Sequence, residues 1–162
     1  MGQRTIRAVV SIVAILLIGG GIAWVGSHGS VELGGWPLFV LCGHALTLLP
    51  LGSVAFKVAI LSSLAVAGTT TLILGIARQN GAKPWPALVG ALLFPLTFQV
   101  WVNGQLAEVY ALNAFLMALL AYLLWRPKPR VETALFMTGL GLGSHATFVG
   151  AAALMWLVIL VN

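Results

Sequence analysis

Charge is what this chain has least of. Asp, Glu, Lys and Arg make up 7% of its 162 residues, and the only acids are Glu32, Glu108 and Glu132. A soluble domain usually carries about a quarter charged residues, so a soluble globular reading is excluded. There is one cysteine, Cys42, which excludes an internal disulfide and a cysteine-built metal site. Cys42 lies in an apolar run and reads as a buried, inert thiol. No Walker motif, dinucleotide glycine fingerprint or HExxH is present, which removes the commonest nucleotide and zinc-hydrolase signatures. Low-complexity tails, short-period repeats and any recognisable soluble domain are missing as well.

What fills the sequence is apolar: 60% of residues are hydrophobic and the mean hydropathy is +1.08. This is the composition of an integral membrane protein. The net charge of +5 does not point to nucleic acid, because the basic residues form no stripe interleaved with aromatics. Seven of the eight cations fall in three short clusters: Arg4 and Arg7; Arg78 and Lys83; Arg126, Lys128 and Arg130. Placed in the cytoplasm by the positive-inside rule, these clusters leave His28, Glu32, His44, Lys57, Glu108 and His145 at the outer face. Trp24, Trp36, Trp85, Trp101 and Trp125 fit interfacial belts.

The apolar runs predict an all-α, polytopic transmembrane bundle forming one domain over residues 1–162. Span one is about 8–25, read as uncleaved because its apolar core exceeds the roughly 7–15 residues of a signal-peptide core. A helix over about 37–49 is too short to cross a hydrocarbon core of about 30 Å and is placed in the outer interface. Further spans are predicted at about 54–76, 85–102 (kinked at Pro95) and 107–125, which gives four full spans. Residues 131–161 are too long for one helix of about 1.5 Å per residue, and Gly139, Gly141 and Gly143 offer a break. The preferred reading is therefore a broken pair, 131–143 and 146–161, with one long tilted helix as the alternative.

Ionisable groups at membrane depth are costly and mark sites or buried partners. Glu108 opens the fourth span, where an acid also favours the positive end of the helix dipole. With Asn103 and Gln105 it makes a polar outer cap. Lys57 lies one turn into its span, where it either snorkels to the headgroups, pairs with Glu32 or Glu108, or contacts a lipid phosphate. His44 and His145 read as packed, hydrogen-bonded rings, and neither they nor His28 have the spacing of metal ligands. Tyr110 and Asn113 complete the outer polar cluster. Glu132 is a partner for Arg130 or Lys128. Thr69, Thr70 and Thr71 read as side chains bonded back to their own helix. No metal and no cofactor is expected.

Several stretches taken in order, Trp36-Pro37-Leu38-Phe39-Val40-Leu41-Cys42-Gly43-His44, Leu48-Leu49-Pro50, Val54-Ala55-Phe56-Lys57, Leu61-Ser62, Ala107-Glu108-Val109-Tyr110-Ala111-Leu112-Asn113 and Gly139-Leu140-Gly141-Leu142-Gly143-Ser144-His145-Ala146-Thr147, resemble a multi-spanning family of unknown function. That family is related to the protein O-mannosyltransferases of the GT-C glycosyltransferase superfamily. The resemblance implies the N-terminal part of a GT-C fold, a polyprenyl-phosphate sugar donor, and an acidic residue in the first outer loop as base or metal partner. The family's acidic first-loop motif is not matched: Ser27-His28-Gly29-Ser30-Val31-Glu32-Leu33-Gly34-Gly35 stands there, and Glu32 is the acid left for the catalytic role. The chain also spans about the first third of the length expected of such enzymes.

Two functions follow from these features. The preferred one is a non-catalytic membrane subunit that keeps a truncated GT-C-like core as a packing or assembly scaffold in a larger complex. Its partners are other integral membrane proteins and membrane lipids, polyprenyl phosphate among them, and not nucleic acid. The alternative is a polyprenyl-phosphate-sugar-dependent glycosyltransferase acting at the extracytoplasmic face, with Glu32 as base and Lys57 neutralising the donor phosphate. A transporter reading is weaker, because the mid-membrane polar groups are mostly Ser and Thr. The location expected is a bacterial inner membrane with a cytoplasmic N-terminus.

Overall fold

The structure is a computed structural model that describes residues 36–50, 52–106 and 108–161. The described residues form helices joined by turns, without strands. In chain order these are α1 (Pro37–Thr47), α2 (Val54–Gln79), α3 (Pro84–Leu96), α4 (Phe98–Gln105), α5 (Val109–Leu124), α6 (Val131–Leu142) and α7 (Ala146–Val161). The all-α expectation is met.

Local chemistry sets the boundaries. Pro37 and Pro84 stand in the first turns of α1 and α3, where a missing N–H costs nothing. The Ser53 side chain accepts a hydrogen bond from Phe56 N at 3.3 Å and caps α2. Inside α2 the hydroxyls of Thr69, Thr70 and Thr71 donate to the carbonyls four residues back, at 2.8, 2.9 and 2.9 Å. That leaves no unpaired hydroxyl facing apolar surroundings. α2 stops at a turn in which Gly81 takes φ +84°, a backbone conformation natural to glycine.

Pro95 and Thr97 break the third apolar run. Thr97 is extended (φ −68°, ψ 137°), and α3 and α4 meet at a 64° bend. The expected proline kink is thus a true break between two helices.

α5 is the central helix. Leu112, Leu116, Leu120 and Leu124 recur every four residues on one buried stripe and join Ala134, Phe148 and Ala152 in the core. α2 lies along α5 in the same direction: Ser62 meets Glu108, Gly68 lies under Phe115, and Gly75 lies under Tyr122. α3 and α4 run back along α2 and connect it to α5, with the Ser63 hydroxyl donating to Gly104 O at 2.7 Å. The last two helices fold back on each other, since Trp156 Nε1 on α7 donates to Thr138 Oγ1 on α6 at 2.9 Å. The reversal at Gly143, Ser144 and His145 agrees with the expected broken pair rather than one long helix.

These directions sort the charges. Arg78, Lys83, Arg126, Lys128, Arg130 and Glu132 come from the α2–α3 and α5–α6 connections, at one end of the bundle. Lys57, Asn103, Gln105, Glu108 and His145 lie toward the other end.

Four full spans are more than the helices support. By length and composition α2 alone passes as a membrane span, or two spans if the bent α3–α4 pair counts as one. α5, α6 and α7 have 16, 12 and 16 residues, or about 24, 18 and 24 Å at 1.5 Å per residue, short of a core of about 30 Å. α5 is shorter than the predicted 107–125 because Glu108 is still extended (φ −118°, ψ 137°). The predicted span at 8–25 lies outside the described residues. The exposed surface is strongly apolar, with Trp85, Leu93, Leu96 and Phe98 on α3 and α4 and Leu154, Leu157 and Leu160 on α7 all open. Together with α2 this supports membrane association.

Candidate functional site

The polar end of the bundle is built from α1, the start of α2, the α4–α5 junction and the α6–α7 turn. Leu38 N donates to Gly143 O at 3.0 Å, which fixes the start of α1 on that turn. Trp36 then stacks on His145, with ring centroids 4.2 Å apart and planes 17° from parallel. Tyr110 tilts against the other side of the cluster at 5.2 Å and 56° from the His145 ring.

His145 is held by a chain of hydrogen bonds. Its Nδ1 accepts from Thr147 N at 3.2 Å, as an N-cap side chain does, and Thr147 Oγ1 lies 2.8 Å away. With two donors on Nδ1, the neutral ring carries its proton on Nε2. Thr147 Oγ1 also accepts from Asn113 Nδ2 at 3.0 Å. The Ser144 hydroxyl lies 3.1 Å from Asn113 Oδ1 and 2.7 Å from Gly141 O and offers its proton to both. Asn113 and Ser144 are buried. The network ties the α6–α7 turn to α5 while leaving the rings of Trp36, His145 and Tyr110 half-buried or exposed at its edge.

The other residues of the sequence-derived cluster are placed differently. Lys57 Nζ donates to Thr47 O at 3.0 Å. It closes the C-terminus of α1, where a cation is favoured by the dipole, and it forms no ion pair among the described residues. Lys57→Met is expected to lower stability by about 1 kcal/mol and Lys57→Arg by less, read as the melting temperature in detergent. Glu108 is the residue before α5. Its backbone N–H and carbonyl both meet the buried Ser62 hydroxyl at 3.3 Å, but its carboxylate makes no cap bond and no ion pair among the described residues. His44 is exposed on α1, away from the His145 stack. Half-burial pushes the Cys42 thiol up, which favours the unreactive protonated form. Glu32 and His28 lie outside the described residues.

Among the described residues no three His, Cys, Asp or Glu side chains gather. The α3–α4 break instead opens a cleft of about 330 Å³ lined by Ser63, Val66, Pro95, Val100, Trp101, Gly104 and Gln105. A smaller cavity of about 90 Å³ shares Val66 and Val100 and reaches Asn103 and Tyr110. Sequence reasoning placed Asn113, Tyr110 and His145 in one outer cluster but had no signal for Ser144, Thr147 or the stacking role of Trp36. The register between α5 and the α6–α7 turn decides those contacts.

The arrangement can bind through a histidine N–H, a phenol and aromatic faces, and among the described residues it holds no carboxylate oriented by hydrogen bonds. No curated protein and no solved structure matches the chain significantly. Residues 31–162 match the model of a family described as protein O-mannosyl-transferase TMEM260 N-terminal domain. The match includes α1 to α7 and the whole polar end, and the chain therefore belongs to the protein O-mannosyl-transferase TMEM260 N-terminal domain family.

Proposed function

We propose that the chain is a membrane-embedded module with a GT-C-like core, which packs with other integral membrane proteins and lipid and does not transfer sugar by itself. One observation carries this reading: the polar groups of the described site are used to join helices. Lys57 caps α1, Ser62 ties α2 to α5, and Asn113, Ser144 and Thr147 tie α5 to the α6–α7 turn. Among the described residues at that end the carboxylate is that of Glu108, and it has no hydrogen bond that would orient it. A general base needs to be held within hydrogen-bond reach of the proton it takes, by neighbours that fix its rotamer.

The cationic end faces the cytoplasm and the His145 end the outside, in keeping with the positive-inside rule. The N-terminus is then cytoplasmic, in a bacterial inner membrane. A second reading is favoured by the family match: a polyprenyl-phosphate-mannose-dependent protein O-mannosyltransferase, with Glu32 as base. Lys57 would have to leave Thr47 O to meet the donor phosphate.

Membranes containing the chain, supplied with polyprenyl-phosphate mannose and a serine-containing acceptor peptide, separate the two. The expected result is no mannosyl transfer above control membranes. The chain should also co-purify in fixed ratio with larger membrane proteins, a ratio that Glu32→Gln and Glu108→Gln leave unchanged. Transfer by the chain alone, abolished by Glu32→Gln, would establish the enzyme instead.

A further inference from the structure

The cationic end is more than a scatter of loop charges. The Tyr122 ring lies against Gly75, so close that a Cβ there would sit 2.8 Å from Tyr122 Cε2. The Arg126 guanidinium lies over the same ring, 5.4 Å from its centroid. Tyr122 is thus clamped between the last turn of α2 and the basic α5–α6 connection. Arg126 is drawn toward the place where Arg78 leaves α2, and the Arg78 guanidinium is held on its own turn by a 2.7 Å bond to Ala82 O.

Pro127 and Pro129 restrict the second connection, and Arg130 N donates to Leu123 O at 3.1 Å, folding that loop back on α5. Five cations from two connections therefore share one end, with Glu132 as the acid beside them and no ion pair among the described residues. Exposed Trp85 and Trp125 stand next to the cations, 77% and 42% accessible, where amphipathic rings meet the headgroup layer. Beside Arg78, Gln79 has both amide atoms buried with no hydrogen-bond partner among the described residues.

We propose that this end is a binding surface for anionic phospholipid headgroups, with Tyr122 as the positioning residue that brings Arg126 and Arg78 together. Five cations stand against one acid, the patch borders an apolar perimeter rather than open solvent, and tryptophans flank it. Those three features fit a lipid phosphate better than an acidic soluble protein. Near a membrane each Lys or Arg adds to the attraction for anionic lipid, so losing three changes the preference by a large factor.

The test uses the full chain in mild detergent, with retained lipid counted by native mass spectrometry after equilibration in equimolar phosphatidylglycerol and phosphatidylcholine. The unmodified chain is expected to retain phosphatidylglycerol at least tenfold over phosphatidylcholine at low salt. Arg78→Gln, Arg126→Gln and Arg130→Gln combined should bring the ratio close to one. Tyr122→Phe, which keeps the ring, should preserve the preference, and Tyr122→Leu should reduce it several-fold while circular dichroism shows the helices intact. Equal retention of the two lipids by the unmodified chain would overturn the proposal. A preference unchanged in the triple variant, or one lost equally in Tyr122→Phe and Tyr122→Leu, would overturn it too.

Discussion

Gly141→Ala is expected to lower the melting temperature of the detergent-solubilised protein by several degrees, although alanine is the better helix former. Two opposed effects set the sign. In a helix interior alanine is favoured over glycine by up to about 1 kcal/mol. Against this, a Cβ at position 141 would penetrate the ring of Phe148. Phe148 is 0% exposed and is packed into the α5–α6–α7 core, so it has no free direction in which to swing. Overpacking of this kind costs about 1–3 kcal/mol, occasionally more, and here it outweighs the propensity gain. The loss should appear as a fall of about 2–4 °C per kcal/mol for a chain of this size.

Gly141→Ala combined with Phe148→Leu should recover part of the loss, because the ring that blocks the methyl group is gone; contacting residues couple in this way. Gly90→Ala and Gly150→Ala are the controls. Nothing lies within 4 Å of a Cβ at either position, and both should be neutral or stabilising. A Gly141→Ala variant as stable as these controls would mean that α6 and α7 do not meet as described.

The second large effect is expected at Asn113. Its amide donates to Thr147 and accepts from Ser144, and both Asn113 and Ser144 are buried. Asn113→Leu removes both bonds and leaves polar neighbours facing an apolar side chain, at a cost of about 1–3 kcal/mol. Replacing the network as a unit, with Asn113→Leu, Ser144→Ala and Thr147→Val together, should cost less than the sum of the three single changes, because no orphaned partner remains. Chemical denaturation in mixed micelles, followed by tryptophan fluorescence, measures the difference. The Trp36–His145 stack gives a local report: Asn113→Leu loosens the α6–α7 turn on which Trp36 rests, and Trp36 emission should shift in a background lacking the other tryptophans. Strict additivity of the three changes would argue that the side chains act independently.

Much of the secondary structure was legible because apolar runs and their punctuation carry it. Pro84 opens α3, Pro95 precedes the break, and the Arg126–Arg130 segment with its two prolines ends α5. The back-bonding of Thr69, Thr70 and Thr71 was also readable, since it depends only on residues four apart on one helix. What was illegible depends on register between helices.

Glu108 was expected in the first turn of its helix, yet the extended backbone at that residue starts α5 one position later. Lys57 was weighed as a partner for glutamate or lipid, and it bonds Thr47 O instead, because the approach of α1 to the start of α2 cannot be read from either segment alone. Asn113 and His145 were expected in one outer cluster, without the contacts that join them. Their linkage through Thr147, and the burial of Ser144, follow from where α6 reverses. The span predicted at 107–125 was longer than α5 (Val109–Leu124) because the hydropathy run continues through residues that the turns take out of the helix, whereas α2 (Val54–Gln79) runs past the predicted 54–76.

The directions of the helices are the claim on which the rest stands, because they put the cations at one end and the Glu108–His145 cluster at the other. Cysteine labelling tests them most directly. In a Cys42→Ser background, single cysteines at Lys83, Lys128, Asn103 and Gln105 are exposed to a membrane-impermeant maleimide in spheroplasts and again after permeabilisation. The expected result is labelling of positions 103 and 105 in intact spheroplasts, and of 83 and 128 only after permeabilisation. Labelling of 83 and 128 from opposite sides of the membrane, or of 83 and 105 from the same side, would contradict the arrangement.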